Sequence, residues 1–199
     1  PMAALDVAAA PAIRSLLRRI LREDRRTALV VTHDPLDALA LADRVVVVES
    51  GRVVEHGAVR DVLTRPRSAF AAQIAGMNLI AGTVTADGVE TEVGAVHGVV
   101  DEECVPGDVA AAVFSPAAVA VYVDEPHGSP RNAFEVTVTE VEARGSTVLV
   151  RTGVAGLAAE VTPAAVADLG LEPGSAVWFV VKAMEIRVHR AALPALRGS

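Results

Sequence analysis

The sequence predicts two fold classes in one chain, an α/β segment followed by an all-β region. In residues 28–57 an apolar run, a helix start and a hairpin pattern follow one another with almost no intervening loop. Near residues 76–78 the helical periodicity stops, and short valine-rich segments separated by Gly, Pro and Asp begin. Such segments are typical of small β-barrels. We therefore expect the boundary between the two classes at residues 76 and 77.

Composition argues against several classes of protein. With 52% hydrophobic and 22% charged residues, the 199-residue chain is expected to form packed cores rather than to be disordered. Its net charge of −7 argues against a nucleic-acid partner. The single cysteine, Cys104, cannot form an internal disulfide, as expected in a reducing cytoplasm. The longest weakly polar run, residues 109–123, is too short to span a bilayer and is interrupted by Ser115-Pro116, so we predict two strands there.

Helices and a strand are predicted at the start of the chain. In Pro11–Glu23 the apolar residues recur at helical spacing, and the arginines form the opposite, solvated face. The apolar run Ala28–Val31 is predicted to be a buried strand that ends beside His33. A second helix is predicted to begin after it, with Asp34 as N-cap and Pro35 at the first helical position.

A β-hairpin follows, with strands expected over Val45–Glu49 and Arg52–Glu55. The two residues between them, Ser50-Gly51, suit a tight turn because glycine accepts a positive φ. Two short helices are then predicted over Ala58–Leu63 and Ser68–Ala75.

Residues 30–57, VVTHDPLDALALADRVVVVESGRVVEHG, resemble the switch-histidine segment of ATP-binding cassette (ABC) ATPases. The similarity covers residue types, spacing and the order of elements over the whole stretch. The resemblance implies that His33 contacts the γ-phosphate of ATP. On its position alone, His33 would be interpreted only as a polar group where a buried strand reaches the surface.

The opening residues Pro1–Asp6 are similar to the D-loop of the same ATPases, and depart from its usual Pro-Leu-Ser-x-Leu-Asp pattern at Met2 and Ala3. The resemblance implies that Asp6 helps to shape the nucleotide site of a partner ATPase subunit. Without His33 downstream, Asp6 would be interpreted as an ordinary helix N-cap.

The sequence contains no phosphate loop of the form G-x-x-x-x-G-K-[ST], no Ser-Gly-Gly-Gln signature and no apolar strand ending in Asp-Glu ahead of the D-loop-like residues. The N–H groups and the lysine of such a loop are what hold the phosphates of ATP and its Mg²⁺. We therefore expect the chain to be the C-terminal part of a longer ATPase, with ATP and Mg²⁺ bound by the intact protein. The 199 residues alone are expected not to hydrolyse ATP.

The all-β region repeats itself. The segment from Asn78, NLIAGTVT, is similar to the segment from Asn132, NAFEVTVT, and Pro106-Gly107 recurs as Pro173-Gly174. Such a repeat implies two similar structural units. We expect an ABC-type segment over residues 1–76, a first OB-like half over 77–131, a second over 132–190 and a tail over 191–199.

The segment Ser129-Pro130-Arg131-Asn132 resembles the Ser-Ala-Arg-Asn motif of molybdate-binding (Mop) domains, with Pro130 in place of alanine. Elements similar to the I-T-x-x-S, L-G-L-x-x-G and K-A-x-x-V patterns of that family follow in order. Ala165 departs from the first of these, because it replaces a serine and removes a hydroxyl. The resemblance implies that molybdate or tungstate is bound by side chains or backbone groups of Ser129, Arg131, Asn132, Thr162, Lys182 and Ala183.

Oxyanion chemistry fits two of these positions on physical grounds. Molybdate is a dianion that needs directed donors and positive charge when it leaves water. Thr162 and Pro163 predict a helix N-terminus, where free N–H groups favour an anion. Lys182, the only lysine, is a flexible point charge. The alternatives are a lysine that only extends from a strand edge into solvent and turn residues without a ligand.

The expected fold class is thus the α/β part of an ABC ATPase nucleotide-binding domain followed by an all-β tandem OB-like barrel of TOBE/Mop type. The resemblances imply the ATP-binding subunit of an ABC importer for molybdate or tungstate, located in the cytoplasm at the inner face of the membrane. They also imply three partners, which are a second ATPase subunit in a homodimer, transmembrane permease subunits and a periplasmic or extracellular molybdate-binding protein. An importer ATPase for sugar, sulfate or iron and a stand-alone oxyanion-binding protein are the alternatives.

Overall fold

The computed structural model describes residues 10–23 and 27–192. Its first part contains short helices around a single hairpin, and the predicted helices and hairpin are confirmed, with the second strand extended to Ala58. The elements are α1 (Ala10–Glu23), α2 (Pro35–Leu41), β1 (Arg44–Glu49), β2 (Arg52–Ala58), α3 (Val59–Thr64) and α4 (Ala69–Ala75).

Local chemistry explains where these elements start and turn. The Asp34 carboxylate caps α2 by accepting a hydrogen bond of 2.8 Å from the N–H of Leu36. Ser50 and Gly51 form the hairpin turn with φ values of 50° and 75°, as a type I′ turn requires. Gly76 ends α4 in the left-handed conformation, with φ 67°.

The predicted strand Ala28–Val31 is not formed, and the prediction is wrong. Leu29 and Val31 are 94% and 84% exposed, and no described strand pairs with this segment. A strand needs a neighbour to satisfy its N–H and C=O groups, so an apolar run alone does not form one. His33 accordingly lies in a bend before α2 rather than at the end of a sheet strand.

The second part of the chain is built from short strands, a short helix and two 3₁₀ turns. Residues 109–123 contain two strands with a 3₁₀ turn between them, as predicted. The strands are β3 (Asn78–Val84), β4 (Gly88–Thr91), β5 (Gly94–His97), β6 (Val99–Val100), β7 (Val109–Phe114), β8 (Ala120–Tyr122), β9 (Asn132–Arg144), β10 (Thr147–Thr152), β11 (Ala158–Val161), β12 (Ala176–Val181) and β13 (Arg187–Arg190). The helix is α5 (Pro163–Leu169), and the 3₁₀ turns are Pro116–Ala118 and Ala183–Glu185.

These strands form two sheets, and each sequence half contributes its last strand to the sheet of the other half. The strand order is β11-β10-β9-β12-β8 in one sheet and β5-β4-β3-β7-β13-β6 in the other. Val121 of β8 pairs with Phe179 of β12, and Val188 of β13 pairs with Ala112 of β7. Residues 77–131 and 132–190 are therefore two halves of the sequence whose strands interleave in space.

One hydrophobic core joins the two sheets. Residues of the first half, such as Val89, Val96 and Phe114, belong to the same buried cluster as Val150 and Phe179 of the second. Burial of apolar surface is the main stabilising contribution in such a domain. The exchange of strands thus makes the stability of each half depend on the other.

The loop between α3 and α4 joins the N-terminal part of the molecule to this barrel. The Nε2 atom of His189 lies 2.9 Å from the carbonyl oxygen of Pro66, and because a carbonyl only accepts, Nε2 carries the hydrogen. Arg65 forms an ion pair with Asp101. Burial lowers the pKa of His189, whose Nδ1 has no hydrogen-bond partner among the described residues.

Among the residues that the structure describes, no helix is both long and apolar enough to cross a membrane.

Candidate functional site

Two positively charged residues lie at the same end of one strand pair of the barrel. β9 and β12 are antiparallel, and their last paired residues are Asn132 and Val181. Arg131 precedes the first of these and Lys182 follows the second, so the two cations continue the register one step beyond the ladder. Both are exposed, and neither side chain makes a hydrogen bond or ion pair with another described residue. Like charges facing each other across strands repel, and an anion between them removes that repulsion.

A groove of about 520 Å³ lies beside Lys182. Pro130, in the linker before β9, lines this groove, and its neighbour in the chain, Ser129, is exposed. Glu185 is a carboxylate in the same wall, and it lowers the positive potential that Lys182 supplies. The groove is lined by residues from both sequence halves: Ser115, Ala117, Ala118, Ala120, Tyr122, Pro130, Val180, Lys182 and Glu185.

The 3₁₀ turn after β12 adds a backbone donor. Lys182 has an extended backbone, and its carbonyl accepts a hydrogen bond of 2.9 Å from the N–H of Glu185. The N–H of Ala183 donates no hydrogen bond within the described part of the chain. Ala183, which has no polar side chain, can therefore contact an anion through its backbone N–H.

Asn132 is buried under this site, with 1% of its surface exposed. Its Oδ1 accepts a hydrogen bond of 2.7 Å from the N–H of His97, and its Nδ2 donates to the carbonyls of His97 and Val181 at 3.0 and 3.2 Å. Because both hydrogens of the amide are already donated, none is free for an anion. We therefore replace the ligand role expected for the Asn132 side chain by a structural one.

Thr162 lies at a different place from the groove. It caps α5, and its Oγ1 accepts a hydrogen bond of 3.1 Å from the N–H of Ala165, as its sequence context predicts. Pro163 has no N–H, so few donors remain at this helix end. Thr162, Ser129 and Arg131 are not among the residues that line the groove, whereas Lys182 is.

In the N-terminal part, a charge network holds the residues around His33. The Arg14 guanidinium forms ion pairs of 2.5 Å with both Asp34 and Asp37. The Thr32 hydroxyl donates to Asp37 at 3.1 Å, and His33 itself is exposed between them. Burial of Asp37 opposes its charge, but hydrogen bonds from Arg14 and Thr32 outweigh this and lower the pKa of Asp37.

Sequence reasoning missed this network, because Arg14 was assigned to the solvated face of α1. The signal that could have found it is the pair of carboxylates three residues apart at the start of α2, of which Asp37 is only 2% exposed. A buried carboxylate requires a partner. Asp6 lies outside the described residues, so its D-loop role stays a prediction.

Among the described residues, no group of His, Cys, Asp and Glu side chains is arranged to hold a metal ion. The cations and N–H groups near Lys182 are instead suited to an anion.

Comparison with known proteins defines the class of the barrel. Residues 128–188 match the model of the TOBE domain family. The match covers Arg131, Asn132, Thr162 and Lys182, and it confirms the predicted fold class.

The whole chain is similar to ATP-binding proteins of metal-oxyanion importers. It is 50% identical to the molybdenum import ATP-binding protein ModC of Mycobacterium tuberculosis over 96% of this chain and 54% of that protein. It is 32% identical to the molybdate/tungstate import ATP-binding protein WtpC of Pyrococcus horikoshii over 94% of this chain and 54% of that protein. The chain thus spans about half the length of the curated relatives that it matches, and the predicted resemblance is confirmed.

A solved structure is similar to just over half of the chain. The cytoplasmic molybdate-binding protein ModG, in a form with molybdate bound, matches 57% of this chain and 95% of its own, with a TM-score of 0.52 and 26% sequence identity.

Proposed function

We propose that this chain forms part of the ATP-binding subunit of an ABC importer for molybdate or tungstate, and that its TOBE domain binds the oxyanion. The observation that carries the proposal is the pair of unpartnered cations, Arg131 and Lys182, at the end of the β9–β12 ladder. The names of the relatives and the molybdate-bound neighbour support the choice of ligand.

The geometry fits a tetrahedral dianion. Lys182 and Arg131 supply two positive charges, and the N–H of Ala183 supplies a directed neutral donor. A charge-assisted hydrogen bond contributes about 1.5–3 kcal/mol net of the exchange with water, so two of them favour binding of the dianion. Ser129 adds a hydroxyl within the same linker, next to Pro130 of the groove wall.

The rest of the proposal follows the relatives. The intact protein binds ATP with Mg²⁺, His33 contacts the γ-phosphate, and Asp6 shapes the nucleotide site of a second ATPase subunit. The complex includes permease subunits in the membrane and an external molybdate-binding protein, and the chain lies at the cytoplasmic face. The charge network of Arg14, Asp34 and Asp37 keeps the His33 segment ordered for that contact.

The test of the barrel site is calorimetric titration of the 199-residue chain with molybdate, tungstate, sulfate and phosphate. We expect saturable binding of the first two. The double variant Arg131→Met, Lys182→Ser is expected to weaken molybdate binding by about 3 kcal/mol or more, because it removes both charges. Arg187→Ala, which removes an exposed cation on β13, is the matched control and is expected to bind normally.

Absence of saturable binding by the unmodified chain would contradict the oxyanion role and favour an importer for another solute. Equal affinity in the double variant would contradict the location of the site.

The ATPase proposal has a separate test. Since the 199 residues contain no phosphate loop, we expect no ATP turnover by this chain in a phosphate-release assay. Measured turnover that His33→Ala abolishes would overturn this part of the proposal.

A further inference from the structure

We infer that Asn132 is a positioning residue that fixes the oxyanion site, and that Asn78 is its structural counterpart in the other sequence half, where the residues next to the ladder end along the chain are uncharged. The inference rests on the proposed function. It differs from the role expected for a residue of the Ser-x-Arg-Asn motif, because the Asn132 amide touches backbone rather than ligand.

The Asn132 side chain holds three chain segments together. It begins β9, its Oδ1 and Nδ2 bond the N–H and the carbonyl of His97 at the end of β5, and its Nδ2 also donates to the carbonyl of Val181 at the end of β12. The next residue after Val181 is Lys182, and the residue before Asn132 is Arg131. One buried amide therefore fixes the backbone next to both cations of the site.

This geometry matters for affinity because the two cationic side chains that would contact the anion are otherwise unrestrained. The side chains of Lys182 and Arg131 are exposed and make no hydrogen bond or ion pair with another described residue. The backbone at both residues must be held in place for the two charges to contact the same anion. If that backbone were ordered only on binding, the ordering would cost conformational entropy. The bond from Asn132 to the carbonyl of Val181 fixes the peptide group between Val181 and Lys182 directly.

The other sequence half contains the matching clasp without the cations. Asn78 is 3% exposed, its Nδ2 donates to the carbonyl of Ala158 at 2.9 Å, and its Oδ1 accepts from the N–H of Ala158 at 2.8 Å. It pairs with Phe114 at the end of the β3–β7 ladder, as Asn132 pairs with Val181. The residues one step beyond that ladder are Met77 and Ser115, which carry no charge.

Asn78 thus provides a matched control for Asn132. Both amides are buried, both begin a long strand and both bond the N–H and C=O groups of one residue of the opposite half. Replacing either by alanine leaves buried backbone groups without partners, so both variants are expected to lose stability. Only Asn132 borders the cations, so only its loss is expected to alter anion binding beyond the general effect of a looser barrel.

The experiment compares the unmodified chain with Asn132→Ala and Asn78→Ala. Titration calorimetry with molybdate, at a temperature where all three are folded, is expected to show at least tenfold weaker binding for Asn132→Ala and less than threefold weaker binding for Asn78→Ala. Amide hydrogen exchange verifies each lesion, because the His97 N–H is expected to lose protection only in the first variant and the Ala158 N–H only in the second. If Asn132→Ala does not fold, Asn132→Ser is used with Asn78→Ser.

The outcomes separate this inference from the proposed function. No binding of molybdate by the unmodified chain overturns both. Binding by the unmodified chain with equal losses in the two variants, or with no loss in either, overturns the positioning role and leaves the proposed site in place. A selective loss in the Asn132 variant supports the inference.

Discussion

The two halves of the barrel share a framework but differ in chemistry. In each half an asparagine starts a long strand, the ladder beside it ends in a 3₁₀ turn, and the following strand crosses into the other sheet. Lys182 precedes the turn in the second half, whereas Ser115 precedes it in the first. Because both ladders are preserved while only one ladder end is cationic, we conclude that the framework sets the geometry and a few end residues set the ligand.

The two crossing strands also differ in what they contact. Tyr122 on β8 and His189 on β13 occupy matching positions, because each lies one residue after an equivalent paired residue, Val121 in β8 and Val188 in β13. Tyr122 is 45% exposed, whereas His189 is 3% exposed and bonds the carbonyl of Pro66. Of these two strands, β13 therefore bonds the N-terminal part of the chain, and it follows the 3₁₀ turn that comes after Lys182.

The largest expected effect comes from exchanging a half-buried strand residue between the halves. Gly82 on β3 corresponds to Val136 on β9, but a Cβ at position 82 would lie 2.3 Å from the carbonyl oxygen of Glu90. Gly82→Val is therefore expected to cost about 3 kcal/mol or more, or to prevent folding, since backbone cannot move away cheaply. Urea unfolding followed by circular dichroism measures the change.

Its control exchanges the neighbouring exposed residue. Ala81→Glu introduces the residue found at position 135 and is expected to change stability by less than about 0.5 kcal/mol. A Gly82→Val variant as stable as the control would show that the two ladders are interchangeable, against the contrast drawn above.

A smaller effect tests the helix that only the second half contains. Thr162 caps α5, so Thr162→Ala is expected to lower the free energy of unfolding by about 1 kcal/mol. Because Thr162 does not line the groove beside Lys182, its loss is expected to leave molybdate affinity nearly unchanged. Thr162→Ser, which keeps the hydroxyl, is the control for stability. A large loss of affinity in Thr162→Ala that Thr162→Ser restores would place the helix end in the oxyanion site after all.

Elements with local signals could be predicted from sequence. The caps Asp34 and Thr162 and the turn Ser50-Gly51 act within a few residues of themselves, and the structure has them where the sequence predicts. Ala28–Val31 shows the limit of this reasoning, because an apolar run becomes a strand only beside a partner that the run does not specify.

The remaining features depend on long-range pairing. The exchange of β8 and β13 follows from register between distant strands, which a repeat in sequence does not reveal. The motif around Asn132 identified the correct region, but only the contacts show that its amide bonds His97 and Val181. Arg14 is a similar case, since its partner Asp37 lies 23 residues away.

The smallest effect tests the contrast between β13 and β8 by pH. Burial lowers the pKa of His189 below its ordinary value of about 6.5, and the carbonyl of Pro66 opposes this only in part. The unfolded chain then binds more protons than the folded chain just below pH 6.5, so stability rises with pH there and is fully present above that value. Lowering the pH through this window is expected to decrease the unfolding free energy. The decrease is less than the roughly 1.4 kcal/mol per pH unit that uptake of one proton can contribute.

His189→Gln keeps an N–H donor for Pro66 but does not titrate, so its unfolding free energy is expected to vary less between about pH 7.5 and 5.5 than that of the unmodified chain. His127→Gln, in the exposed linker, controls for the loss of a histidine. If His189→Gln and the unmodified chain show the same pH slope, His189 is not held neutral at the junction. The His189–Pro66 contact would then not distinguish β13 from β8, and the Arg65–Asp101 ion pair at the same junction is partly exposed and expected to contribute little.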